Sequence, residues 1–247
     1  MSTSTTVPTQ PTATPTTAPT NAPTEQQSAA RRTLAGWWPL AAAGAGVTSF
    51  VFTSLSSRLL TDEQTRDGVD AVYAAVDQDG GRTHVGIVMA FLCVGLLAVF
   101  AAGFGRFLTA RAPEGSLAAQ VARLGLNASV ATVALAASLK AIFRGGLPDH
   151  GDHAMYTKEA VVTLQILVDQ YQWAAYWTIA LAMGAVAVLG LRDRILPRWY
   201  AWLSVVLTAF VLGMTGVLGL PYSAGVVAPV WLVATTIALL RLRRRLA

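Results

Sequence analysis

Imidazole and carboxylate side chains lie close together in one polar connection of the chain. Residues 149–153 read Asp-His-Gly-Asp-His, and a third histidine, His84, directly precedes an apolar stretch. Neutral imidazole and carboxylate are ligands that Zn²⁺ accepts. His150, His153, Asp149 and His84 are therefore candidate metal ligands, although their spacing matches no known closed zinc site. The alternative is a solvated loop, in which aspartate and histidine are common.

A second candidate site is built around Lys140, which lies inside an apolar stretch. An ionisable group within a membrane span is a functional hypothesis by default. Together with Ser138 and Asp169, Lys140 forms a candidate ligand-binding site near one end of its span. Two interpretations of the lysine stay open. Either its long side chain snorkels to the membrane surface, or it pairs with Asp149 or Asp169 in a polar pocket.

The signatures of the common enzyme classes are missing from the sequence. It contains no Gly-x-Ser-x-Gly, no phosphate-binding loop and no histidine-rich metallopeptidase motif. A haem held across a membrane needs axial ligands at depth, and only His84 lies near an apolar stretch. We therefore predict no catalytic residue and no cofactor.

The composition indicates a membrane protein. Of the 247 residues, 54% are hydrophobic and 13% are charged, whereas an average soluble domain has about 25% charged residues. The net charge of +5 does not indicate nucleic-acid binding, because the arginines stand at the ends of apolar stretches rather than on one solvated face. The single cysteine, Cys93, excludes a disulfide framework.

Six apolar stretches have the length of transmembrane helices. About 20 residues at 1.5 Å rise per residue cross the roughly 30 Å hydrocarbon core of a bilayer. The sequence therefore predicts an all-α fold, a polytopic membrane helix bundle of six transmembrane helices with two short extracytoplasmic helices. One short helix is expected behind a capping box at Thr61, with Val69, Val72, Tyr73 and Val76 at helical spacing, and the other from Thr157. The predicted spans are 36–55, 85–104, 124–143, 173–191, 199–220 and 224–240.

Polar side chains interrupt two of these helices. The third span holds Asn127, Ser129, Thr132, Ser138 and Lys140. Because such side chains avoid lipid, we expect this span to pack against its neighbours. In the helix that begins at Thr157, the spacing places Gln165, Asp169 and Gln172 on one face and Val161, Leu164, Val168 and Tyr171 on another.

The distribution of arginine predicts the orientation. Short loops rich in Lys and Arg stay in the cytoplasm. Twelve of the 18 basic residues lie at the N-terminus, in two short connections and at the C-terminal end: Arg31, Arg32, Arg106, Arg111, Arg123, Arg192, Arg194, Arg198, Arg241, Arg243, Arg244 and Arg245. We therefore predict a multi-pass plasma-membrane protein with both termini in the cytoplasm.

The chain divides into a tail and a membrane domain. Residues 1–30 are rich in Thr and Pro and carry almost no large apolar side chain. Such a segment cannot bury enough surface to offset its ordering entropy, so we predict a disordered cytoplasmic tail. Residues 31–247 form the predicted transmembrane domain.

Two classes of function follow from this organisation. The first is a non-enzymatic membrane protein, structural or regulatory, or a binder of a small or lipidic ligand. The second is a transporter or membrane enzyme with a polar site under the outer loops. Transporters usually show internal repeats and broken helices, and no duplication is visible in the sequence. The non-enzymatic class is therefore preferred, with the lipid bilayer as its surroundings and no nucleic-acid partner.

The C-terminal part of the chain resembles an uncharacterised bacterial family of six-span integral membrane proteins. The resemblance lies in Ile-Leu-Pro-Arg-Trp at 195–199, in Pro221, and in Pro-Val-Trp-Leu at 229–232. It extends loosely over 34–247 and is specific over 190–247. It implies a six-span fold and, since that family has no established activity, no site.

Overall fold

A computed structural model describes residues 34, 36–56, 68–78, 80–146 and 157–246. Every regular element in these ranges is a helix, which confirms the predicted all-α fold. The predicted tail 1–30 and the residues Asp149, His150 and His153 lie outside the described ranges. The helices are α1 (Trp38–Ser56), α2 (Val69–Gln78), α3 (Gly80–Arg111), α4 (Leu117–Gly146), α5 (Lys158–Ala174), α6 (Ile179–Leu191), α7 (Arg198–Leu218) and α8 (Ser223–Leu246).

Six helical stretches are long and apolar enough to cross a membrane. They are α1, α3, α4, the pair α5 and α6 taken together, α7 and α8. The six-span bundle predicted from the sequence is thereby confirmed. Helix α3 has 32 residues and therefore rises about 48 Å, well beyond a hydrocarbon core of about 30 Å.

The short helix α2 docks on the beginning of α5. Nζ of Lys158 donates to Oδ1 of Asp70 at 2.5 Å and lies 5.8 Å from the ring centroid of Tyr73. Helix α5 is the element predicted from Thr157, whose side chain accepts from the backbone N–H of Ala160 and caps the helix. Helix α5 continues through a turn into α6, so it forms the first half of the fourth span.

Close packing between spans depends on small residues, which let helix backbones approach each other. Helix α1 lies between α3 and α8, while α4 packs on α3 and α6. A Cβ atom at Gly46 of α1 would lie 2.9 Å from the carbonyl oxygen of Pro229 in α8. One at Gly103 of α3 would lie 2.3 Å from the Trp38 ring. These two glycines bring α8 and α3 against α1.

The two ends of the bundle differ in charge. Consecutive spans run in opposite directions, so the start of α1, the α3–α4 connection, the α6–α7 connection and the end of α8 meet at one end, here named the basic end. Consistent with this placement, Cζ of Arg241 in α8 lies 5.5 Å from the ring centroid of Trp199 in α7. The described arginines of the basic end are Arg106, Arg111, Arg123, Arg192, Arg194, Arg198, Arg241, Arg243, Arg244 and Arg245. Helix α2 and the start of α5 lie at the opposite end.

Candidate functional site

A buried ion pair joins the third and fourth spans. Nζ of Lys140 in α4 donates to Oδ1 of Asp169 in α5, and Oδ2 of the same carboxylate accepts from Nε2 of Gln165 at 2.8 Å. Lys140 is fully buried and Asp169 is 7% exposed. Pairing with Asp169 is therefore confirmed. The snorkelling interpretation of Lys140 is wrong, because its side chain extends into the contact with α5 rather than to the membrane surface.

Both residues of the pair lie within helical stretches that are long and apolar enough to cross a membrane. Lys140 is six residues before the last residue of α4, and Asp169 is eleven residues after the first residue of α5. At 1.5 Å per residue these positions are about 9 Å and about 16 Å from the respective helix ends. Ionisable groups buried between helices are costly unless they are paired, as these are.

A stripe of buried polar side chains runs along the fourth span from the pair. Gln165, Asp169, Gln172 and Tyr176 are all buried and follow one another at intervals of four, three and four residues. This spacing places them on one helix face. The sequence predicted that Gln165, Asp169 and Gln172 share a face, and the structure shows that this face is the buried one. Sequence analysis missed Tyr176, which continues the same spacing and was detectable from it.

The fourth span changes its hydrogen-bonding pattern where α5 ends. Between 175 and 178 the bonds are of the tighter i to i+3 type, including those from Ile179 N–H to the Tyr176 carbonyl at 3.0 Å and from Ala180 N–H to the Trp177 carbonyl at 2.9 Å. The carbonyl of Ala175 accepts instead from Oγ1 of Thr132 in α4, at 2.6 Å. A neighbouring span thus satisfies a backbone group that the change of pattern affects.

Two further contacts hold α4 against this turn. Oγ of Ser129 lies 2.7 Å from Oγ1 of Thr178, and a Cβ atom at Gly125 would lie 2.9 Å from the backbone nitrogen of Ala182. The expectation that the third span packs against its neighbours is confirmed for Ser129, Thr132 and Lys140. It is wrong for Asn127, which is exposed because it lies on the helix face opposite to Ser129.

The polar stripe ends in the centre of the bundle. The hydroxyl of Tyr176 lies 3.7 Å from Sγ of Cys93 in α3, and that thiol donates to the Ala45 carbonyl of α1 at 3.5 Å. Tyr176 and Cys93 are both fully buried. The fourth span therefore contacts α3 and α4 through polar groups, and the Cys93 thiol in turn links α3 to α1.

The remaining sequence candidates are placed as follows. Ser138 is half-buried on α4, and His84 is exposed near the beginning of α3. Across residues 34–246, outside the gaps given above, no group of three His, Cys, Asp or Glu side chains is arranged to hold a metal ion. A zinc site at Asp149, His150 and His153 stays a prediction, because those residues are not among the described ones.

Fold and site define a multi-pass helical membrane protein with a buried ion pair between its third and fourth spans. No family model, curated protein or solved structure matches the chain. The resemblance of residues 190–247 to a bacterial six-span family accordingly stays a prediction.

Proposed function

We propose that this protein is a non-enzymatic plasma-membrane protein that binds a small zwitterionic ligand between α4 and α5. The observation that carries the proposal is the buried Lys140–Asp169 pair. The Lys140 ammonium group can bind an anion and the Asp169 carboxylate can bind a cation. Both groups are buried in the bundle, where the dielectric constant is low. Gln165 and Gln172, on the same face as Asp169, supply neutral polar groups beside the pair.

The pairing favours a ligand that carries both signs of charge. A ligand with one charge would take either Lys140 or Asp169 as its partner and cost the other its ion-pair contact, and the loss of one partner of a buried pair costs about 3–5 kcal/mol. A zwitterion replaces both halves of the pair at once. Free amino acids and the headgroup of phosphatidylethanolamine share this chemistry, an ammonium group beside an anionic group.

Helix α5 is the element that would move to admit such a ligand. It packs less extensively on its neighbours than α1 packs on α3. Its Leu164, Ile166 and Leu167 are exposed. The i to i+3 segment at 175–178 separates α5 from α6, and segments of that kind often mark hinges.

We expect zwitterions to raise the thermal stability of the purified protein in a nonionic detergent. A ligand that binds only the native state stabilises it by about 2.7 kcal/mol at 100 times its dissociation constant. The probes are glycine and larger free amino acids in one series and phosphatidylethanolamine in another, which separates soluble from lipid ligands. N-acetyl amino acids and amino-acid methyl esters, which carry one charge only, should give no shift.

Matched variants locate the effect. The double substitution K140M/D169L removes both charges, is expected to fold, and should abolish the shift. Lys158 lies on α5, as Asp169 does, but pairs at the surface with Asp70 of α2. The variant K158A should therefore retain the shift in thermal stability. A shift that survives K140M/D169L would place the ligand elsewhere. The absence of a shift with every probe would leave the pair with a purely structural role.

Transport is the second candidate function, supported by the i to i+3 segment in the fourth span and the polar stripe that leads from Gln165 to Tyr176. Discontinuous helices around polar residues at membrane depth are typical of secondary transporters. Ligand uptake into proteoliposomes, abolished by K140M/D169L, would favour transport over binding alone.

The proposed orientation puts the basic end in the cytoplasm, and the arginine distribution supports it. Reporter fusions after Arg111, at the basic end, and after Gly80, at the opposite end, should report opposite sides of the membrane, with the Arg111 fusion inside. If both reporters were found on the same side of the membrane, the six-span topology would be contradicted.

A further inference from the structure

The C-terminal end of α8 carries four exposed arginines. The helix continues to Leu246, so Arg241, Arg243, Arg244 and Arg245 project from regular helix. All four side chains are exposed. Like charges three or four residues apart on a helix repel each other, so a surface of this kind gains stability from an anionic partner.

Three of these arginines share one face of the helix. Arg241, Arg244 and Arg245 follow the spacing i, i+3, i+4, whereas Arg243 lies about 160° around the helix axis from Arg241 and Arg245. Cζ of Arg241 lies over the ring of Trp199 in α7, at 5.5 Å from its centroid. The shared face of Arg241, Arg244 and Arg245, here named the arginine face, is therefore on the α7 side of α8.

The chain has too few acidic residues at the basic end to neutralise its arginines. Twelve arginines lie in the N-terminal segment, around the two short connections and at the end of α8, against three acidic residues, Glu25, Glu114 and Asp193. This count includes residues 1–33, whose single acidic residue is Glu25. The basic end therefore carries excess positive charge and attracts anions from outside the chain.

We propose that the arginine face binds the phosphate group of an anionic phospholipid. The planar guanidinium group matches phosphate oxygens in bidentate geometry. A guanidinium that lies over a tryptophan ring can still donate from its edge, so Trp199 positions Arg241 without using its N–H donors. Clusters of four or more basic residues directly after a membrane span are suited to anionic headgroups.

The level of the arginine face favours a lipid over a dissolved anion. The 18 residues from Ser223 to Leu240 carry no charge and rise about 27 Å, close to the thickness of a hydrocarbon core of about 30 Å. A bilayer that covers this apolar part of α8 therefore ends near Arg241. Trp199, which contacts Arg241, and Trp202, one turn further along α7, are 40% and 59% exposed, and tryptophan is enriched in the headgroup layer.

Lipid binding by the full-length protein tests the proposal. The protein in a nonionic detergent is titrated with phosphatidylglycerol or with phosphatidylcholine of identical acyl chains, and bound lipid is counted by native mass spectrometry. We expect the wild type to prefer phosphatidylglycerol. R241Q and R245Q should each weaken phosphatidylglycerol binding about tenfold, as the loss of one charge-assisted hydrogen bond implies. Binding of phosphatidylcholine should not change.

The matched control is R243Q, which removes an exposed arginine from the other side of α8 and should weaken phosphatidylglycerol binding less than about twofold. An equal loss in R243Q and R241Q would overturn the site in favour of diffuse attraction, and so would equal binding of the two lipids by the wild type. Inorganic phosphate and a polyglutamate peptide, each added at the lipid concentration, should not displace phosphatidylglycerol. Displacement by either would overturn the lipid assignment in favour of a dissolved anion or an acidic protein.

Discussion

Replacing Lys140 with methionine is expected to lower the free energy of unfolding by about 3–5 kcal/mol, the range typical of a buried ion pair that loses one partner. The reason is that Asp169 then stays buried after losing its contact with the Lys140 ammonium group. Equilibrium unfolding in mixed detergent micelles, followed through the fluorescence of the seven tryptophans, measures the loss. Asp169→Leu should be destabilising for the converse reason.

The double variant and an exposed pair provide the controls. K140M/D169L should unfold at nearly the wild-type free energy, because apolar side chains of similar volume replace both charges. Lys158→Ala and Asp70→Ala, which break a pair whose side chains are 57% and 81% exposed, should leave the unfolding free energy unchanged within error. A double variant as unstable as the sum of the single ones would show that the two charges do not interact.

Substituting alanine for Gly125 is expected to destabilise the bundle by about 1–3 kcal/mol, the usual cost of overpacking a well-packed contact. The new Cβ atom would lie 2.9 Å from the Ala182 nitrogen and 3.0 Å from the Thr178 carbonyl oxygen. Both atoms belong to backbone, which cannot rotate away as a side chain does. Helix α4 must therefore move off the fourth span, and thermal unfolding of the variant should begin at a lower temperature.

Gly95 is the matched control, since it also lies within a spanning helix but nothing lies within 4 Å of a Cβ atom there. Gly95→Ala should be neutral or should stabilise the protein by up to about 1 kcal/mol through helix propensity. If Gly125→Ala matched Gly95→Ala in stability, the close approach of α4 to the turn at 175–178 would be contradicted.

The candidate site was partly predictable from the sequence. Lys140 stands out because charge inside an apolar stretch is visible without any knowledge of neighbours, whereas Asp169 lies outside the predicted spans, on the polar face of the helix that begins at Thr157. Their pairing stayed one of several alternatives, since Asp149 and the membrane surface were equally within reach of a lysine side chain. Only the packing of α5 on α4 selects Asp169. Lys140 and Asp169 are 29 residues apart along the chain, and that separation by itself does not predict the contact.

Other features of the structure were only partly predictable from the sequence, or not at all. The spacing of Gln165, Asp169, Gln172 and Tyr176 predicts a shared face, but not that this face is buried. The hydrogen bond from Thr132 to the Ala175 carbonyl depends on a local change of helix geometry that no residue type in the sequence predicts. Arg111 resembles the other arginines of its end in the sequence, and only the fold shows that its side chain is half-buried whereas the other described arginines of that end are exposed.

The sequence by itself determined the number of spans, their helical character and the collection of arginine at one end. These properties are sums over single residues, because burial of apolar side chains in lipid and the sorting of charge do not depend on which helices are neighbours. The tertiary structure decided which helix is central. Helices α7 and α8 are similarly apolar, yet 17% of the spanning window is buried in α7 and 72% in α8. Since lipid chains are as apolar as leucine, hydropathy cannot separate a surface that faces lipid from one that faces protein. Close approach and polar contacts make that distinction, and both are properties of the assembled bundle.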